Sequence, residues 1–439
     1  MNRGTAYIIR TEKRIAPFDD PVGEVLINQK TLGERQREAL AELGFEISSI
    51  LRLEEIRAGD YPCLLLSDDL FLNAATLREF LRLSQSASGS TQCAISNDTV
   101  FAKMLVPFQD EQSIGYSRFP LWNLTRANSL ESAVTIIDIG EYQVPVSIPA
   151  HMRGSGEIIM PMILRPLVQI NHPLDIIFAS VTSLNVRFAE VLSSPARRAL
   201  LGLRARSLNP ARLLARMNKI GPGCEIHPTA CLEGAEIGSR VQIGAHSVIR
   251  MSSIGDGCNI GDGSVIKHSV VGAGSVLFDD LTLGFAVCYP ETFLIHGPYH
   301  VSLFGRSSAM FATILDDFRL DRKPIRIEVN GKLIPHPFPF IGSFIGHRTR
   351  VAGGSIISPG RSIPNDLLIF PASTGVLTRI PENLPRGVPL FIHNGGLEPV
   401  ANLNPNGSDG KQQRSQAERE SGAHVGTIFD LSQRGTNSL

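Results

Sequence analysis

The run Ile220–Leu277, IGPGCEIHPTACLEGAEIGSRVQIGAHSVIRMSSIGDGCNIGDGSVIKHSVVGAGSVL, decides the fold. Ile220, Ile226, Leu232, Ile237, Ile243, Ile249, Ile254, Ile260, Ile266, Val271 and Leu277 advance by steps of 6, 6 and 5, so each group of three spans 17 residues. Two residues before each of the last ten stand Cys224, Ala230, Ala235, Val241, Ser247, Ser252, Cys258, Ser264, Ser269 and Ser275, all of them small. Residues two apart on a strand share a face, so the aliphatic and the small residue both point inward. Ile220, Ile237, Ile254 and Val271 lie one 17-residue coil apart, and each is followed by Gly, the residue that lets a backbone turn tightly between short strands. The pattern predicts a three-sided β-solenoid. Each coil hydrogen-bonds to the next about 4.8 Å away, and the aliphatics form one internal ladder whose remaining space the small residues fill.

Beyond Leu277 the aliphatic rule fails over 279–340 and resumes at Ile345, Val351 and Ile357, preceded by Ser343, Thr349 and Ser355. The interval is expected to be an inserted excursion, with a hairpin in IRIEVNGKLI turning at Asn330-Gly331. Arg361 stands where a small residue belongs before Ile363, which is expected to end the regular ladder. The solenoid domain is assigned to 220–401, and the polar segment 402–439 is expected to be a disordered tail. Upstream, TAYIIR and YPCLLLSDDLFL read as strands, and TLGERQREALAELGF and AATLREFLRLSQ as helices. Residues 1–190 are therefore an α/β domain with a mostly parallel sheet, and 191–219 a helical connecting arm broken at Pro210.

Composition narrows the function classes. The 439 residues are 43% hydrophobic, enough for a multidomain globular chain. Lys and Arg total 42 and Asp and Glu total 42, so no broad positive field exists to attract nucleic acid. No apolar run reaches the length of a membrane span; the most apolar stretch, Ile158 to Ile170, is interrupted by Arg165 and two prolines. The start MNRGTAYIIRTEKR has no secretory pattern, so the expected localisation is cytoplasmic. Six cysteines without zinc-type spacing read as reduced thiols, and Cys224 and Cys258 sit in the inward register as core.

The 17-residue repeat resembles the hexapeptide-repeat family of left-handed parallel β-helices. That resemblance implies a homotrimer and acyl transfer from acyl-CoA or acetyl-CoA, with a histidine in a cleft between subunits as general base toward an amine or hydroxyl. His227, His246, His268, His296, His300 and His347 are available, and His300 and His268 are the candidates carried forward. A zinc hydratase of the γ-carbonic anhydrase kind shares the solenoid but needs three converging histidines, and here only His296 and His300 are close in sequence.

VLINQKTLGERQREALAELGFEI and YPCLLLSDDLFLNAATLREFL resemble segments of sugar-nucleotide pyrophosphorylases. SLNVRFAEV resembles the segment before the linking arm of the bifunctional N-acetylglucosamine-1-phosphate uridyltransferase/acetyltransferases. The resemblance implies a nucleotidyltransferase-like first domain in which Asp69 and Asn185 hold Mg²⁺ and Asp68 and Asp69 face the nucleotide of a sugar nucleotide or sugar phosphate. The chain departs from it in TEKRIAPFDDPVGEVL, which has no Gly-rich phosphate loop and carries Val22 after Pro21 where the family has lysine. The expected protein is thus a transferase of sugar-nucleotide or cell-envelope glycan metabolism, transferring an acyl group on the solenoid beside a degenerate first domain. The alternatives are a non-catalytic trimeric scaffold or regulatory protein, and an active bifunctional nucleotidyltransferase/acyltransferase.

Overall fold

The computed structural model describes residues 4–105, 112–126, 130–147, 157–329, 331–371, 390–393 and 396–399. Residues 4–370 fall in one unit and 371–439 in another, in which Leu390–His393 and Gly396–Pro399 pair as an antiparallel hairpin. The proposed tail at 402–439 and Asn330 of the hairpin turn lie outside the described residues.

The first domain is built on one mixed sheet in the order Ala133–Ile137, Thr91–Ser96, Tyr116–Leu124, Cys63–Ser67, Thr5–Ile9, Glu46–Ile50. Tyr116–Leu124 runs antiparallel to both its neighbours, and the remaining pairings along this path are parallel. Local chemistry sets the helices. Thr31 caps Leu32–Glu42 through a reciprocal box with Glu34, and Asn73 caps Ala74–Ser84 by accepting from the Thr76 N–H. The helix Pro173–Ser193 starts with Pro at its first position behind the His172 cap, and the arm continues as Pro195–Ala205 and Pro210–Ala215.

From Lys219 the chain winds into three parallel sheets. Eight strands run from Lys219–Ile220 to Ser362–Ile363, eight from Glu225–Ile226 to Leu368–Ile369, and five from Cys231–Glu233 to Tyr299–His300. The register holds at one coil, with Ile220 opposite Ile237, Ile226 opposite Ile243 and Leu232 opposite Ile249. Three parallel sheets joined by tight corners fit a left-handed β-helix. Ser247, Ser252, Ser264, Ser269 and Ser275 are completely buried, as the ladder requires.

Two expectations about the solenoid's extent are corrected. The excursion does not begin at 279: coils continue through Leu283, Cys288, Leu294, Tyr299, Phe304, Met310 and Leu315, all in the inner cluster. The steps are still five or six residues, but Cys288, Tyr299, Phe304 and Met310 stand among leucines where the earlier coils carry only branched aliphatics. The interior accepts any apolar volume there while the small partners Ala286, Ser302 and Ser308 remain. The true insertion is 316–343, between the strands Ile314–Leu315 and Phe344–Ile345, and contains the hairpin Ile325–Val329/Lys332–His336. Nor does the ladder stop at Ile363, since Ser362–Ile363 and Leu368–Ile369 each pair with the coil below. Among the described residues no further coil pairs with this one, and the Arg361 guanidinium is accommodated by donating to the Arg326 carbonyl at 3.1 Å.

The first domain lies directly on the solenoid. Val270, Val287, Leu303 and Phe344, on the outer face of the first sheet, share a core with Leu174, Ile177 and Leu184 of the long helix. Asp20 adds a polar clasp, accepting from Arg306 at 3.0 Å and lying 3.2 Å from His347 Nε2. Burial alone would raise the Asp20 carboxyl, but the hydrogen bond and charge of His347 and Arg306 hold it below its ordinary value.

Candidate functional site

His300 ends the strand Tyr299–His300, opposite Gly284 on the previous coil. A Cβ at Gly284 would sit 2.6 Å from His300 Cδ2, so the missing side chain is what lets the imidazole lie across the coil below. Asp317 follows the strand Ile314–Leu315, and its carbonyl accepts from the Ile341 N–H at 3.0 Å, which ties both ends of the insertion together. The result is a contact of 2.8 Å between His300 Nδ1 and Asp317 Oδ2. With Nδ1 donating to the carboxylate, the lone pair of the neutral ring resides on Nε2, the arrangement a general base needs. The two side chains are 40% and 26% exposed, so the pair is open to a ligand.

The pair opens on a cavity of about 230 Å³. Val146 and Met160, from the hairpin Glu141–Ser147/Glu157–Ile163, form one side, and Phe285, Val301, Phe338 and Phe340 form the others. On its other flank Asp317 also lines an open cleft of about 600 Å³, with Arg319, Arg326 and Arg361 around it.

His268 is not brought to this cavity. Its ring stacks on Phe285 with centroids 4.8 Å apart and planes at 2°, and Nδ1 is 3.4 Å from Asn185 Oδ1. Burial, with Arg250 and Lys267 nearby, pushes its pKa down to about 4. It braces the back of the Phe285 wall. His227, His246 and His296 are exposed, and His347 is buried in the contact with Asp20. Among the described residues no group of three or more His, Cys, Asp or Glu side chains is placed to hold a metal, so the three-histidine zinc arrangement is not assembled there.

The metal pair implied for the first domain does not fit. Asp69 is 3% exposed and accepts from Lys13 Nζ at 3.0 Å and from Gln169 Nε2 at 2.9 Å. The same ammonium donates to Asn171 Oδ1. Asn185 is twelve positions along the helix from Pro173, roughly 18 Å at 1.5 Å per residue, and faces His268 instead. Lys13 thus holds the place beside Asp69 that a divalent ion would need. Asp68 accepts from the Thr11 amide and hydroxyl at 3.0 and 2.7 Å; burial raises its pKa against the lowering effect of those bonds. Sequence reasoning missed Asp317, Lys13 and Asn171. Asn171 immediately precedes the His172-Pro173 helix start and so had a positional signal, whereas Asp317 stands one residue beyond the local 16-residue coil from His300 and had none.

No single helix among the described residues is long and apolar enough to cross a membrane. No family model matches the chain, and no curated protein matches it. Among solved structures it is similar to a mutant perosamine N-acetyltransferase from Caulobacter crescentus in complex with CoA and GDP-perosamine, at 17% identity over 39% of this chain and 71% of that one, with a TM-score of 0.18. It is also similar to the polysialic acid O-acetyltransferase OatWY, at 18% identity over 36% of this chain and 82% of that one, with a TM-score of 0.13. Both neighbours are named as acetyltransferases of sugars.

Proposed function

We propose that the chain is an acyltransferase of glycan or sugar-nucleotide metabolism whose general base is His300, oriented by Asp317. The observation that carries this reading is the 2.8 Å contact between His300 Nδ1 and Asp317, which leaves Nε2 as the basic atom beside an apolar cavity. In the reaction Nε2 takes the proton of an acceptor hydroxyl or amine as that atom attacks the acyl carbonyl of a CoA thioester. Asp317 stabilises the imidazolium that forms, the C–S bond breaks, and the proton passes to the departing thiolate. In the adjoining cleft Arg319 is paired with Asp321 and Asp316 also stands, and the guanidiniums of Arg326 and Arg361, which line it, are the groups offered to the phosphates of the donor.

The first domain acts here as a cover, contributing the hairpin that closes the cavity, rather than as a second catalytic centre. The active bifunctional reading would need a metal at Asp69, and Lys13 stands there. The working form is taken to be a homotrimer, which sedimentation would give as about three times 47.7 kDa. The test of the activity is release of free thiol from acyl-CoA, followed optically while sugar nucleotides bearing free amino or hydroxyl groups are added, with the acylated product weighed by mass spectrometry. Acceptor-dependent thiol release supports the reading. Its absence across both acceptor classes, together with no binding of any acyl-CoA, removes it.

A further inference from the structure

The cavity beside His300 also constrains the acyl group. We propose that the group transferred is an aliphatic chain of medium length rather than acetyl, and that the cavity is its binding site; this rests on the acyl-transfer reading above. His300 and Asp317 are the polar residues of the lining, and both belong to the dyad, so the space starts at the reacting atoms. A sugar, nucleotide or peptide placed there would bury hydroxyls or amides with no partner, at a cost of several kcal/mol in total. An acetyl group would leave most of the 230 Å³ unfilled and most of the wall without contacts. One water-sized group needs only about 10–15 Å³ of such space, so the cavity is large enough for a chain of many methylenes.

The depth of the site supports the same occupant. Met160, Phe285, Val301 and Phe338 also line a second, smaller apolar void of about 30 Å³. That void reaches inward to Met104 and Ile177, between the long helix and the covering hairpin. The two apolar spaces are separated by walls they share, one of them Met160, a methionine being the most adaptable of core side chains, so a chain longer than the first space holds could displace it inward.

The experiment is calorimetric titration of the full-length protein with CoA thioesters of two to sixteen carbons, which needs no acceptor. Affinity is expected to rise by up to about fourfold per added methylene from acetyl, to peak at an intermediate length, and to fall beyond. Met160→Trp, which fills the cavity, should move the optimum to shorter chains. If that variant fails to fold, Val146→Trp at the half-exposed rim makes the same test. Equal binding of acetyl-CoA and octanoyl-CoA, or an optimum that neither variant moves, overturns the chain-length inference and leaves acyl transfer standing. Failure of every thioester to bind would instead count against acyl transfer itself.

Discussion

Lys13 Nζ lies 3.0 Å from Asp69 Oδ2, joining the loop after the first strand to the end of the Cys63–Ser67 strand. Asp69 is almost fully enclosed and Lys13 about a quarter exposed, so the pair is held largely out of water. Removing the cation leaves a carboxylate without its charge partner, and Lys13→Met should cost about 2–4 kcal/mol in urea denaturation. The double change Lys13→Met/Asp69→Leu should recover much of that loss. Mg²⁺ should leave the melting temperature of the unaltered protein where it was; a metal-dependent rise would show that the ion displaces Lys13.

Gly284 offers a test that separates orientation from folding. Gly284→Ala puts a methyl group where the His300 ring lies, and the ring must swing away from Asp317. Acyl transfer should fall on the order of 10²-fold, as for a displacement of about 1 Å of a positioned group, with a melting shift of only a few degrees. Unchanged turnover would mean that the imidazole does not need that place.

The acid limb of stability is set by enclosed histidines. Burial, with His336 nearby, pushes His172 from 6.5 down to about 3, and burial pushes His336 down to about 4. In the unfolded chain both take up protons below pH 6.5 while the folded forms stay neutral, so their stability contribution is complete above pH 6.5. It is lost as pH falls toward those folded values, at about 1.4 kcal/mol per pH unit for each. Urea titrations should show a loss of about 3 kcal/mol or more between pH 7 and pH 5. His336→Gln should make that slope shallower, and a flat profile would contradict the assignment.

The ladder predicts a positional contrast. Ser264 is fully buried and donates to the Phe278 carbonyl at 3.2 Å, whereas Asp262 is an exposed corner residue accepting from the Ala245 N–H at 2.6 Å. Ser264→Leu should cost about 3 kcal/mol or more by overfilling the coil, and Asp262→Leu about 1 kcal/mol for one hydrogen bond. Equal small losses would place the register elsewhere.

These sites also show what a single sequence carries. The coils from Ile220 to Leu277 were legible because every inward position is Ile, Leu or Val above a small residue, a pattern set by the shape of the interior. At Cys288, Tyr299, Phe304 and Met310 the interior imposes volume without side-chain type, so the letters changed, and the coil shortened from 17 to 16 residues while each step stayed at five or six. The catalytic candidate was half legible. His300 was one of the two solenoid histidines taken as candidates, but Asp317 acquires its role only when the chain completes a coil and the insertion is tied back through Ile341. In the first domain Asp69 was legible as the end of a buried strand. Asn185 was misplaced because composition does not say how far along a helix a residue sits, and only the Pro173 start puts Asn171 within reach of Lys13 and Asn185 against the solenoid.

The central claim is that His300 is the base, and the most direct measurement is the rate of thiol release from the best-bound acyl-CoA and its acceptor in His300→Gln, beside His227→Gln. His227 is an exposed histidine at a far coil of the same solenoid. The account predicts a loss of about 10²–10⁴-fold in kcat for His300→Gln, with donor affinity and melting temperature little changed, and an unaltered rate for His227→Gln. Full turnover by a folded His300→Gln protein would contradict it.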